Sequence, residues 1–112
     1  MPTIIRGADR QFTAICQHSN RVPLDLTNCT VVKATFIDEN GEAKAVTLAD
    51  GDIAIKEPKG SGMVEITLDK DFTSTLKLGE RQDLMLEFTI SGKEIAHVIE
   101  GTLTVKPKLG VG

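Results

Sequence analysis

Between Arg81 and Val105 the chain reads RQDLMLEFTISGKEIAHVIEGTLTV, two β-rich runs around Ser91-Gly92-Lys93, and this stretch limits the folds open to it. Leu84, Leu86, Phe88 and Ile90 alternate with Met85, Glu87 and Thr89, the period of a strand with one buried face. Ile95 to Val105 returns beside it, which predicts a long antiparallel hairpin. The second arm has a phase problem. Ile95, His97 and Ile99 share the parity of Leu103 and Val105, yet Ala96 and Val98 are better core residues than His97. A bulge at Glu100-Gly101 would shift the phase and place Ala96, Val98, Leu103 and Val105 on one face, and that arrangement is the expectation.

The remaining segments read as shorter strands. Thr3 to Arg6 and Gln11 to Gln17 form two small strands or one bent one, with Phe12, Ala14 and Cys16 in phase. Pro23 to Thr27 is extended, because proline fixes its own backbone and biases Val22 toward the β region. Thr30 to Ile37 turns Val32, Ala34 and Phe36 inward, and Asn40-Gly41 then signals a hairpin into Glu42 to Leu48. Ile53 to Ile55 and Met63 to Leu68 follow, the latter with Val64, Ile66 and Leu68 buried. Asp69 to Leu78 is the one helical candidate, capped by Asp69 or Asp71 and stopped by Gly79. Seven or eight strands with turn signals at this spacing predict an all-β sandwich or barrel, a single domain over 1–112, with one short helical connection.

Composition narrows function mainly by exclusion. A net charge of −3 and acids scattered among the lysines argue against nucleic acid, which requires a concentrated positive field. Four Phe with no Tyr or Trp leave little for base stacking, antibody-like anchoring or sugar platforms. The apolar runs are too short to cross a bilayer, and Met1 to Gly7 has no secretory pattern, so the product is expected to stay in the cytosol that makes it. Cys16 and Cys29 are expected as thiols, Cys16 buried.

Catalytic chemistry is hard to find. His18 lies two residues from Cys16, a weak dyad signal, and His97 has no nucleophile near it in sequence. The acidic turns Asp38-Glu39-Asn40-Gly41 and Asp50-Gly51-Asp52 lack the spacing of a calcium loop and read as solvated hairpin tips. No catalytic, cofactor-binding or metal residue is therefore assigned. What does stand out is apolar residues on the outward phase: Ile15, Ile37 and Met85, joined by Ile95 and Ile99 if the bulge is present. Grouped together they would form a protein interface, with Arg6, Arg10 and Arg81 at its polar rim.

The order of motifs resembles a family. Ile4-Ile5-Arg6-Gly7 precedes Phe12; Pro23-Leu24-Asp25-Leu26-Thr27 leads through Val31 and Val32 to Ala34; Asp38 to Gly41 follows. Gly60-Ser61-Gly62 then approaches Val64-Glu65-Ile66, a Thr-rich turn ends at Leu76 to Gly79, and Asp83 precedes the closing Gly101-Thr102-Leu103-Thr104-Val105. In this order they are similar to the N-terminal β-sandwich domain of phage baseplate upper proteins and to small tail or fibre-attachment modules. Arg81-Gln82 depart from the pattern, standing where such domains carry aromatic residues, and the chain stops at Gly112 where baseplate proteins continue into a receptor-side region.

The resemblance implies an antiparallel immunoglobulin-like sandwich and a non-catalytic virion structural or adaptor protein of tail, baseplate or fibre attachment. It would be made in the host cytoplasm and carried in the virion. Its partners would be other virion proteins and further copies of itself, a homo-oligomer in symmetric multiples, with no cofactor, small-molecule substrate, nucleic acid or membrane. Strand addition by Met1 to Arg6 or Pro107 to Gly112 is a second mode of contact. A host-surface or carbohydrate-binding module, a capsid decoration protein and a small hydrolase using His18 or His97 are the competing readings.

Overall fold

The computed structural model describes residues 3–17 and 21–107. His18 lies outside them, as do the ends of both segments considered as strand donors. The described residues form β1 (Thr3–Ile5), β2 (Arg10–Ile15), β3 (Cys29–Ile37), β4 (Ala43–Thr47), β5 (Ile53–Ile55), β6 (Met63–Leu68), β7 (Gly79–Ile90) and β8 (Lys93–Lys106). One helical turn, α1 (Lys70–Thr73), joins β6 to β7. The architecture is all-β and sandwich-like. One sheet has the order β1-β8-β7-β3-β4 and the other β2-β6-β5, and β1 runs parallel to β8 while the remaining pairs are antiparallel.

Alternation decides which faces meet. Phe12, Ala14, Val64, Ile66, Leu68 and Ile53 from the smaller sheet pack in one cluster with Val32, Ala34, Phe36, Val46, Leu84, Leu86, Phe88, Leu103 and Val105 from the larger. Each of these sides leaves water only when the two sheets are together, so burial couples them. Cys16 is buried in the same cluster. The chain crosses between sheets after β4: Asp50-Gly51 turns it into β5, which pairs with β6.

The long hairpin forms as the alternation predicts. Ser91 and Gly92, at φ 51° and 79°, make the two-residue turn in which both residues take positive angles, and Ile90 pairs with Lys93 across it. The expected phase shift in β8 is corrected. Leu84 pairs with Ile99 and Gln82 with Leu103, so three residues of β8, Glu100 to Thr102, stand opposite Asp83 alone. Two extra residues restore the original parity where one would have reversed it. Ile95, His97 and Ile99 therefore lie on the core phase beside Phe88, Leu86 and Leu84, and Ala96 and Val98 point outward. The irregularity is held by Gly101, at φ 61°, whose N–H donates to Asp83 Oδ1 at 2.9 Å. A further bulge on β7 at Arg81, φ 57°, brings Gly79 opposite Val105. Beside it the Gln82 amide donates to the Lys77 and Gly79 carbonyls at 2.9 and 3.1 Å, closing with polar bonds the corner that lacks aromatic residues.

The turn between β3 and β4 also differs in detail. Gly41 alone takes a positive φ there, and Asp38 Oδ1 organises the loop by accepting from the Asn40 and Glu42 amides, both at 2.9 Å. α1 takes up only Lys70–Thr73 of the expected Asp69 to Leu78 and ends at Ser74, Gly79 opening β7 instead; of the two candidate caps it is Asp69 that serves, its Oδ1 accepting from Phe72 N–H at 2.8 Å.

Glycine is required most strictly at Gly62, at φ +71°, where an added Cβ would stand 2.3 Å from Cys16 O and 2.9 Å from Leu24 N. Gly62 accepts from Cys16 N–H at 2.8 Å and Cys16 in turn accepts from Leu24 N–H at 2.9 Å, so three chain segments meet at one point. Gly41 has φ +81° but open space around it. Gly62→Ala should therefore cost about 3 kcal/mol and Gly41→Ala about 1 kcal/mol. Urea unfolding followed by far-ultraviolet circular dichroism measures the difference; equal losses would remove the close approach as the reason for Gly62.

Candidate interaction surface

The outward side of the five-stranded sheet carries four of the eight large apolar side chains exposed among the described residues. Across the strands, Val98 of β8 pairs with Met85 of β7, Met85 with Thr35 of β3, and Thr35 with Ala45 of β4. Ile37 and Ala43 pair in the adjacent row, and Val31 lies further along β3. Val98, Ile37 and Met85 are 43, 40 and 40% exposed and form a short apolar lane open to solvent, while Val31, 48% exposed, stands apart from it beyond the Lys33–Glu87 row. Its middle is drier than its margin: Thr35 Oγ1 is buried without a hydrogen-bond partner. Lys33 and Glu87, paired across β3 and β7, flank the lane, and Glu94 continues the charged margin toward the hairpin tip. An open groove of about 360 Å³ follows that margin, lined in part by Val31, Lys33, Glu87, Thr89 and Ala96.

The six residues singled out from sequence fall in different places. Ile37 and Met85 are brought together, Met85 sitting opposite Thr35, two residues before Ile37. Ile15 is 55% exposed but belongs to β2, on the other sheet. Arg6 reaches Glu39 Oε2 at 2.8 Å and donates to the Ser74 carbonyl through Nε and Nη2 at 3.1 and 2.6 Å. Arg10 folds along the edge of β2, donating to the Thr3 and Gln11 carbonyls at 3.0 and 2.8 Å. Arg81 occupies the β7 bulge. Val31 and Val98 were not singled out. A one-residue bulge would turn Val98 inward, whereas Val31 shares the outward phase of Lys33 and Thr35. Ile95 and Ile99 are on the core phase; Ile99 packs against the core, and Ile95 remains 36% exposed near the tip.

Groups with catalytic or metal-binding potential are occupied or dispersed. Among the described residues no three His, Cys, Asp or Glu side chains cluster in a way that could hold a metal ion. Asp38 is engaged by its own turn, and Asp50 Oδ2 accepts from the Thr47 hydroxyl at 2.8 Å. Thr27, through its hydroxyl and its amide, holds the exposed Asp25 carboxyl below its ordinary range. Both cysteines are free thiols. Burial pushes the Cys16 thiol up to about 12, and burial raises Cys29 as well, opposed in part by backbone hydrogen bonds at Val31 and Thr89. A scan against protein-family models returns no match, and a search of the curated proteins finds no similar sequence.

Cys16 makes alkaline stability testable. Its proton is retained in the folded protein and lost near the ordinary thiol value, 9.0, on unfolding. The contribution is thus whole below about pH 9 and declines as pH rises toward about 12, by at most about 1.4 kcal/mol per pH unit. Cys16→Ala should remove this decline relative to the parent in paired urea titrations from pH 8 to 11. Parallel pH curves for the two proteins would contradict the buried-thiol origin.

Proposed function

We propose that this chain is a non-catalytic virion structural or adaptor protein that binds other virion subunits through the outward face of its five-stranded sheet. The observation carrying this reading is the lane of Val98, Met85 and Ile37, which presents apolar side chains to water in two adjacent cross-strand rows. Burying such a lane against a partner supplies a dry centre, and Lys33, Glu87 and Glu94 supply a charged margin for orientation. The finer assignment is an immunoglobulin-like sandwich. It is supported by the order β8-β7-β3-β4 facing β2-β6-β5, with β1 joining β8 in parallel.

A tail, baseplate or fibre-attachment site is the location implied by the motif resemblance. The test uses particles or purified tails lacking this chain, mixed with the purified protein and sedimented. The parent should co-sediment at a fixed stoichiometry. Met85→Asp should weaken association at least tenfold while leaving the circular dichroism spectrum and urea midpoint near those of the parent, because Met85 points away from the core. Undiminished association of the folded variant would dismiss this face as the docking surface, and absence of association by the parent would count against the virion role.

A further inference from the structure

We propose that two copies of this chain pair antiparallel along the free edge of β8, with the two-fold axis at Ala96. β1 covers this edge only at Thr104–Lys106, and among the described residues no strand pairs with the outer edge from Lys93 to Ile99. That is a straight edge of about 23 Å. The two-residue turn makes Ile90–Lys93 a hydrogen-bonded pair, so by alternation the amides and carbonyls of Glu94, Ala96 and Val98 point away from β7.

The other sheet edges are blunted. β1 and β5 have three residues each. On β4, Lys44 turns toward the inner side, its Nζ 4.5 Å from the Phe72 ring centroid and hydrogen-bonded to Thr75, which places a charge where a pairing strand would need an apolar side chain. On β2, Arg10 occupies the Gln11 carbonyl. The Lys93–Ile99 edge has no proline, and between its ends only Glu94 is charged.

A second copy fits this edge in one register. A two-fold axis normal to the sheet keeps outward residues opposite outward residues, so candidate centres are whole residues. Centring on Val98 sets Gly92 of the second copy opposite Thr104, a place Thr3 already fills. Centring on His97 opposes Glu94 to Glu100, twice. Centring on Ala96 sets Ala96 against Ala96, Glu94 against Val98 and Ile95 against His97, and it uses the whole straight edge. It forms about six main-chain hydrogen bonds. The nearest like-charge approach is diagonal, Glu100 to Glu94 of the second copy, about 7–8 Å apart on an exposed face. Both apolar lanes then lie on the same side of one continuous sheet. The pairing does not depend on what those lanes dock against.

The full chain is examined by native mass spectrometry and sedimentation over a concentration series, with Ala96→Pro and Ala45→Pro variants. Ala96 N–H has no partner on β7, so proline there removes no ladder bond within one copy. A parent dimer, unchanged by Ala45→Pro and weakened at least tenfold by a folded Ala96→Pro, is the expected result. If Ala96→Pro fails to fold, Ala96→Cys decides: the axis places the two Cα atoms about 5.5 Å apart, within disulfide reach, so oxidation should give a covalent dimer that Ala45→Cys does not give. A strictly monomeric parent at high concentration, a dimer insensitive to Ala96→Pro, or equal cross-linking at both positions overturns the proposal. So does protection of the β8 amides from exchange only when another virion protein is added, which would give the edge to a heterologous strand.

Discussion

Burial of one face of each sheet against the other is the constraint on which this structure depends, and the two sheets are unequal. The smaller offers β2, β5 and β6, of six, three and six residues, whereas β7 and β8 run for twelve and fourteen. Leu84, Leu86, Phe88, Leu103 and Val105 are covered, but toward the hairpin tip the same phase becomes half-exposed at Ile90 and exposed at Ile95. The tip is thus held by its own ladder and turn more than by the core. Its backbone is also where a sheet edge stays open.

A second, polar organisation closes one end of the sandwich. Thr73, fully buried, donates its hydroxyl to the Ala8 carbonyl at 2.9 Å and accepts from Gly7 N–H at 3.1 Å. Lys70 N–H donates to Asp9 Oδ1 at 2.7 Å, and Arg6 spans to Ser74 and Glu39. The Arg6-Gly7-Ala8-Asp9 turn, α1 and the β3–β4 loop are therefore one hydrogen-bonded unit. Buried polar groups of this kind cost stability when a single partner is removed, which binds the three segments to a common geometry.

Much of the fold could be read from the chain because one-sided burial imposes a period of two. The inward sets of β2, β3, β6 and β7 follow from alternation, and the Asp69 cap from its position before α1. The phase of β8 could not be read that way. One or two inserted residues at Glu100 to Thr102 look alike locally, and only the pairing of Gln82 with Leu103 and of Leu84 with Ile99 distinguishes them. The apolar surface was legible in part: outward phase identified Ile37 and Met85, but excluding Ile15 from the same patch required knowing that β2 belongs to the other sheet.

The parallel pairing of β1 with β8 has a mechanical consequence. Thr3 lies beside Thr104 and Ile5 beside Lys106, so a pull entering before β1 and leaving after β8 acts along both strands in opposite senses. Such a load shears every bond of the pair at once instead of peeling them in turn. Force spectroscopy with handles at those two strand ends would register this geometry as a higher rupture force than peeling the β7–β8 hairpin from its tip.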